Sequence, residues 1–219
     1  MSEEYRQHRF VLPAGACDML LIRHGESEAA VPGRPFPIKD GHGDPALHPE
    51  GRRQAQAVAD HLAGAPIDAI YVTSLRRTHQ TAAPLAARLG LTPVIEPDLR
   101  EVHLGEWDNG LYRIKAAQND PAFEKARRRQ EWGEIPGAET TQALHRRVGQ
   151  ALLRLGAAHG NQRLAVFVHG GVIGAALAVA SGAQPFAFNG AANGSISRLV
   201  VLGSQMTVRG FNDIGHLPD

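Results

Sequence analysis

An α/β fold, with a mostly parallel sheet flanked by helices on both faces, is what the sequence predicts, and three observations predict it. Met19-Leu20-Leu21-Ile22 and Leu164-Ala165-Val166-Phe167-Val168 are short continuous apolar runs, the kind that fill a strand buried on both faces. Elsewhere apolar residues recur at helical spacing, as at Ala55, Val58, Ala59 and Leu62. Strand and helix patterns then alternate along the chain, the order that builds a parallel sheet. The length of 219 residues suits one domain, 1–219, with an N-terminal arm over 1–17 and an insertion subdomain over about 106–139.

Taken in order, the first strand ends at Arg23-His24-Gly25. The stretch 31–49 is rich in proline and glycine and reads as a long surface loop near a strand end, where loops are often functional. Glu50 to Ala63 is an amphipathic helix, and Ala69-Ile70-Tyr71-Val72 the second strand. Ser74 is placed to cap the next helix, with Ala82, Leu85, Ala86 and Leu89 as its stripe, Pro84 as a kink and Gly90 as its stop. Val94-Ile95 is a short strand, and the polar, weakly periodic stretch up to Gly137 reads as helical insertions packed over the core. A striped helix through Leu144, Val148, Ala151, Leu152 and Leu155 precedes the strand at 164–168, and a small-residue helix spans Val172 to Ala180. Ile196 to Leu202 and Met206 to Phe211, joined by Gly203-Ser204, form a hairpin with a two-residue turn.

Composition excludes several function classes. At 43% hydrophobic and 21% charged the chain can bury a core, which rules out disorder. Lysine and arginine number 23 against 22 acidic residues, a net +1, so no global field draws the chain to nucleic acid or an acidic membrane. Aromatic residues, at 5%, are too few for a nucleic-acid stacking platform. Ala14-Gly15-Ala16 mimics a signal-peptidase site, but the apolar run before it is only Phe10-Val11-Leu12. The uncharged stretch from Gly170 to Ser197 is interrupted by Gly182, Gln184, Pro185 and Asn189, so no spanning helix is expected. With Cys17 as the sole cysteine there is no internal disulfide, and a cytoplasmic location is the expectation.

In parallel sheets ligands bind outside the carboxyl ends of strands. Three such ends carry basic side chains here: Arg23-His24, Arg76 and His169. Permanently charged, planar guanidinium groups match phosphate oxygens bidentately. A neutral imidazole at His24 can attack phosphorus, splitting one displacement into two easier ones. His169-Gly170-Gly171 at a helix start adds a donor beside backbone N–H groups able to approach phosphate.

The segment Leu21-Ile22-Arg23-His24-Gly25-Glu26-Ser27 resembles the signature of the histidine phosphatase superfamily, the phosphoglycerate-mutase-like proteins. Leu47 to Ala55, Ser74 to Ala82, Leu99-Arg100-Glu101 with Gly105-Glu106-Trp107, and Val168 to Ile173 are similar to the family's further stretches, in the family's order. The resemblance runs from about Asp18 to Ser197 and implies the phosphoglycerate-mutase-like fold. It implies His24, Glu101 and His169 as catalytic residues: His24 as nucleophile, Glu101 as general acid, His169 as second histidine. Arg23, Arg76, His169 and Gly170 would bind phosphate, and Ser27 and His42 are candidate substrate contacts. The implied enzyme is a metal-independent phosphomonoester hydrolase of a small phosphorylated metabolite, acting through phosphohistidine without a cofactor. A phosphoglycerate-type mutase, or a non-catalytic phospho-ligand-binding member, is the alternative. The chain departs from the pattern at His48, where threonine is usual, and at Ala30, where the mutases commonly carry asparagine. The expected partners are the phosphorylated substrate and a second copy of the chain in a homodimer, with neither nucleic acid nor membrane.

A dinucleotide-binding reading of His169-Gly170-Gly171-Val172-Ile173-Gly174 needs a ribose-binding carboxylate about 20 residues on. No Asp or Glu lies between Glu139 and Asp213. Arg127-Arg128-Arg129 reads as a solvated helix face, and substrate specificity is expected in the 31–49 loop and the 106–139 insertion.

Overall fold

A computed structural model of the chain describes residues 4–217, so the first three residues of the expected N-terminal arm and the last two of the chain lie outside the described residues. Residues 4–16 form no helix or strand. The main sheet has six strands: β1 (Cys17–Arg23), β4 (Ala69–Val72), β5 (Val94–Ile95), β6 (Arg163–Val168), β7 (Ile196–Leu202) and β8 (Gln205–Asp213), in the order β5-β4-β6-β1-β7-β8. β5, β4, β6 and β1 pair in parallel; β7 runs antiparallel to β1, and β8 antiparallel to β7. A two-stranded ribbon, β2 (Ile38–Lys39) with β3 (His42–Gly43), stands apart.

The alternation of side chains along β1 divides the core in two. Leu20 and Ile22 face Ile70, Val72, Ala165 and Phe167 on one side, where α1 (Pro49–His61) and α2 (Arg76–Leu89) supply Val58, Ala82 and Leu85. Met19 and Leu21 face Leu164, Val166 and Val168 on the other, covered by α5 (Thr141–Ala158) and α6 (Gly170–Ser181) through Leu144, Leu152, Ile173 and Leu177. Each fully buried side chain of this size stabilises the fold by about 1.5–3 kcal/mol. Both faces of the central strands β1 and β6 are therefore dry, as their unbroken apolar runs require, whereas Val94 and Ile95 of the edge strand β5 are exposed.

The helix ends follow from local chemistry, with one correction. His48 Nδ1 accepts the Glu50 N–H at 3.3 Å and caps α1, and Pro49 occupies its first turn, which gives the departure at His48 a structural role. Ser74 does not cap α2: Leu75 holds the cap position, and the Ser74 hydroxyl donates instead to Asp40 Oδ2 at 2.8 Å. Pro84 lies inside α2, which continues to Leu89 and stops at Gly90 with φ of 65°. Thr140 caps α5 by accepting from Ala143 N at 3.1 Å. The hairpin turn falls at Gly203-Ser204, with Leu202 opposite Gln205 and Gly203 at φ of 57°.

The 31–49 stretch is less superficial than its composition implies, because His42, Gly43 and Asp44 dip into the molecule and are buried. Between Gly105 and Gly137 the chain folds into α3 (Leu111–Ala117), α4 (Pro121–Arg129) and short 3₁₀ turns, as expected of helical insertions. The segment is closed at its base: Glu106 N donates to Pro136 O at 3.0 Å, Glu139 N to His103 O at 2.9 Å, and a Cβ on Gly105 would sit 2.2 Å from the Gly137 carbonyl carbon. Arg127, Arg128 and Arg129 are exposed on the last turn of α4, the solvated face expected of them. Among the described residues no helix is long and apolar enough to cross a membrane.

Candidate active site

The carboxyl ends of β1, β4 and β6 open on a cleft of about 330 Å3. Its floor is formed by Arg23 and His24 after β1, Arg77 at the start of α2, and Gly170 and Gly171 at the start of α6; Glu101 forms one wall.

His24 is 4% exposed, and both of its ring nitrogens are engaged. Nδ1 lies 2.7 Å from the Gly25 carbonyl oxygen, which can only accept, so Nδ1 carries the proton. Arg77 Nε donates to His24 Nε2 at 3.1 Å, which places a lone pair on Nε2 facing the guanidinium. Burial first, then the charges of Arg77 and Arg23, hold the imidazole pKa well below its ordinary value, so the ring is neutral. The loop around it is tightly packed. Gly25 N donates to Thr81 Oγ1 at 3.0 Å, and Asn193 Nδ2 to His24 O at 2.9 Å. A Cβ on Gly25 would come within 2.3 Å of Gly51 O, so no other residue fits there without moving α1.

The phosphate-binding expectation for the second strand end needs correction by one residue. Arg76 is exposed and turned away from the cleft, its backbone N and Nε both donating to Asp44, at 2.8 and 3.0 Å. Arg77 is 6% exposed, donates from Nη1 to Gly43 O at 2.9 Å, and lines the cleft beside His24. Burial lowers its pKa to about 10, which leaves it a cation at neutral pH. Consecutive helical residues point about 100° apart, so one of the two had to face outward.

Arg23 Nη1 donates to Ala191 O at 2.5 Å, while its Nε is buried without a protein partner among the described residues. His169 lies behind the floor, its ring centroid 5.2 Å from that of His24 in an edge-to-face arrangement. Its Nε2 meets Thr73 Oγ1 at 3.0 Å, its Nδ1 is buried without a partner among the described residues, and burial keeps it neutral as well. Glu101 Oε1 accepts the N–H groups of Val102 and Gly171, at 2.9 and 3.2 Å, which fixes the carboxylate at the amino end of α6.

Two candidate substrate contacts have other work. His42 does not line the cleft: its Nδ1 faces Asp40 O at 2.9 Å and its Nε2 faces Glu101 O at 3.1 Å, so it supports the Glu101 backbone from below. Ser27 accepts Arg113 Nη2 at 2.6 Å and lines a neighbouring recess rather than the cleft. Arg113 is the residue that sequence reasoning missed. It reaches from α3, donates also to Glu28 O at 2.8 Å, and contributes a third guanidinium to the cleft. Its segment carries no periodicity that could have marked it. Among the described residues no three His, Cys, Asp or Glu side chains are grouped to hold a metal ion.

A family model for the histidine phosphatase superfamily, branch 1, matches residues 19–214. The chain belongs to that superfamily. The phosphoglycerate mutase-like protein 4 of Arabidopsis thaliana is 33% identical over 159 residues, covering 71% of this chain and 67% of that protein. The metal-independent phosphoserine phosphatase of the same plant is 34% identical over 161 residues, covering 71% of this chain and 65% of that protein. Among solved structures, a mycobacterial glucosyl-3-phosphoglycerate phosphatase superposes with a TM-score of 0.73 at 27% identity, covering 90% of this chain and 99% of that one. The superfamily's fold is thus shared across nearly the whole chain, and four of the five sequence stretches that resemble it, all but Leu47 to Ala55, contribute residues to one cleft.

Proposed function

We propose that this member of the histidine phosphatase superfamily hydrolyses small phosphomonoesters through a phosphohistidine formed on His24 Nε2. The observation that carries the reading is the tautomer: with the proton held on Nδ1 by Gly25 O, the lone pair of Nε2 sits among the guanidinium groups of Arg23, Arg77 and Arg113. A transferring phosphoryl group spreads negative charge over its equatorial oxygens, and these cations stabilise it where it develops. Arg77 Nε moves from the imidazole nitrogen to a phosphoryl oxygen as substrate binds, which frees the lone pair to attack. Arg23 Nε, without a protein partner among the described residues, supplies a further donor, and His169 backs the His24 ring from behind the floor.

As the N–P bond forms, the P–O ester bond breaks and Glu101 gives its proton to the departing alkoxide. Water then attacks the phosphohistidine while Glu101 takes the proton back, releasing phosphate and restoring neutral His24. No step calls for a metal ion, and the relative named as metal-independent supports that reading. The buried, unpaired thiol of Cys17 fits a cytoplasmic setting. The proposed partners are the phosphoester and a second copy of the chain, whose association light scattering of the purified protein measures.

Rapid quench with a labelled phosphomonoester tests the mechanism. Acid-labile, base-stable label on His24, absent from His24→Ala, is the expected result; label on a serine or an aspartate would sink it. Chasing the phosphoenzyme in water separates hydrolysis from a mutase, which would return the phosphoryl group to an alcohol.

A further inference from the structure

We infer that the alcohol half of the substrate is an apolar, aryl-bearing alcohol rather than a polyol or an amino acid, a specificity that rests on the phosphomonoesterase reading above. Two recesses meet at Arg23 and Arg113, and they differ in chemistry. One has no aromatic residue and mixes Glu26, Ser27, Gln118 and Asn193 with Pro32 and Ile114 on its walls. The other is the cleft itself, where Phe36, Val102, Leu104, Trp107, Tyr112 and Trp132 stand above the floor.

Glu101 decides between them. The residue that protonates the leaving oxygen must touch it, and Glu101 lines the aromatic cleft together with His24 and Arg77, while none of these three lines the other recess. The departing alcohol is therefore on the aromatic side. There the charged side chains outside the floor, Asp108 and Arg113, are already engaged. The Asp108 carboxylate accepts from Leu104 N at 2.8 Å and Gly43 N at 3.4 Å, and the two Nη atoms of Arg113 donate to Glu28 and Ser27. Hydroxyl groups of a polyol would lose water there and meet mostly ring faces, with Asn189 and the Tyr112 hydroxyl as the few polar partners, which is costly. A flat ring meets surfaces it can pack on: Tyr112 lies with its ring centroid 6.1 Å from Trp132 and 6.4 Å from Trp107. At about 330 Å3 the cleft is near the small end of the roughly 300–1,000 Å3 usual for ligand pockets. It suits a phosphate carrying one or two fused rings.

The test compares 2-phenylethyl phosphate with glycerol 3-phosphate, both esters of primary alcohols and so alike in their need for the acid. We expect kcat/KM for the aryl ester to exceed that for the glycerol ester by about tenfold or more, the scale on which hydrophobic pockets discriminate. Tyr112→Leu should bring the ratio down towards one, and Tyr112→Phe, which keeps the ring, should preserve it. The unsubstituted enzyme decides the matter even if a variant does not fold. Equal or better turnover of glycerol 3-phosphate would overturn the aryl specificity and leave the phosphatase reading standing. A ratio unaffected by Tyr112→Leu would remove Tyr112 from the recognition. Turnover of neither ester, with no phosphohistidine trapped, would instead defeat the phosphatase reading and this inference with it.

Discussion

Arg76 and Arg77 sit side by side at the start of α2, one exposed and held by Asp44, the other buried against His24. Arg77→Lys keeps the charge but loses the planar fork, and should lower kcat/KM by about 10²–10³, the usual consequence of losing one donor to transition-state charge. Arg76→Lys touches only a half-exposed ion pair and should leave turnover close to the unsubstituted rate. Steady-state kinetics on the two variants side by side checks the assignment; the reverse ranking would refute it. The sequence does contain the information that separates them. Stepping back by four from Leu85 gives Thr81 and then Arg77, all buried, whereas Arg76 shares its face with exposed Ala83. Glu101→Gln should slow hydrolysis of alkyl phosphates by about 10²–10⁴ and impair the phosphorylation step with nitrophenyl phosphate much less, since nitrophenolate leaves without a proton. Equal losses for both esters in single turnover would make Glu101 a structural residue.

At the scale of elements, the segment carrying Glu101 is braced from α5 by one side chain. Arg147 Nη1 donates to Asp98 O and Arg100 O, both at 2.8 Å, and Nη2 donates to Glu101 O at 2.9 Å and to Glu139. Arg147→Met keeps the length of the stem but releases three carbonyl oxygens. A displacement of the acid by about 1 Å costs roughly 10²-fold in rate. We expect kcat to fall on that scale for alkyl phosphates with phosphate inhibition retained; an unchanged kcat, or an equal loss of phosphate binding, would contradict a positioning role. The regular elements were legible because each carries its own period: the continuous run of β1, the stripe of α5, the two-residue turn before β8. The brace was not legible, because a single arginine on a striped helix looks like any solvated charge. Arg113 was hidden for a related reason, since α3 has seven residues and none buried, too short and too polar to reveal a phase. His42 failed in the opposite sense. A histidine in a proline-rich loop reads as exposed, and only the pairing of β2 with β3 carries it beneath Glu101.

For the molecule as a whole, catalysis sets a pH limit on stability. His24 and His169 are held neutral, with pKa values well below 6.5, by burial above all. Their contribution is complete above the unfolded-state value of about 6.5 and is lost as the pH falls below it, because the unfolded chain then binds protons that the folded chain refuses. His145 and His216, also lowered by burial, act in the same direction. Urea unfolding should show a lower midpoint near pH 5.5 than near pH 7.5, and His169→Gln should narrow the gap; a midpoint that rises on acidification would contradict the neutral assignment. The anchoring of Glu101 has a consequence for remodelling the protein. Its carboxylate is held by Gly171, and its backbone by Arg147 and His42, none of which belongs to the segment between Gly105 and Gly137 that carries Trp107, Tyr112 and Trp132. The proton donor and the three large rings of the proposed alcohol-facing surface are thus encoded in separable stretches of chain. Libraries confined to 107–132, sparing Arg113, can exchange one leaving group for another while the proton donor stays in register with its nucleophile.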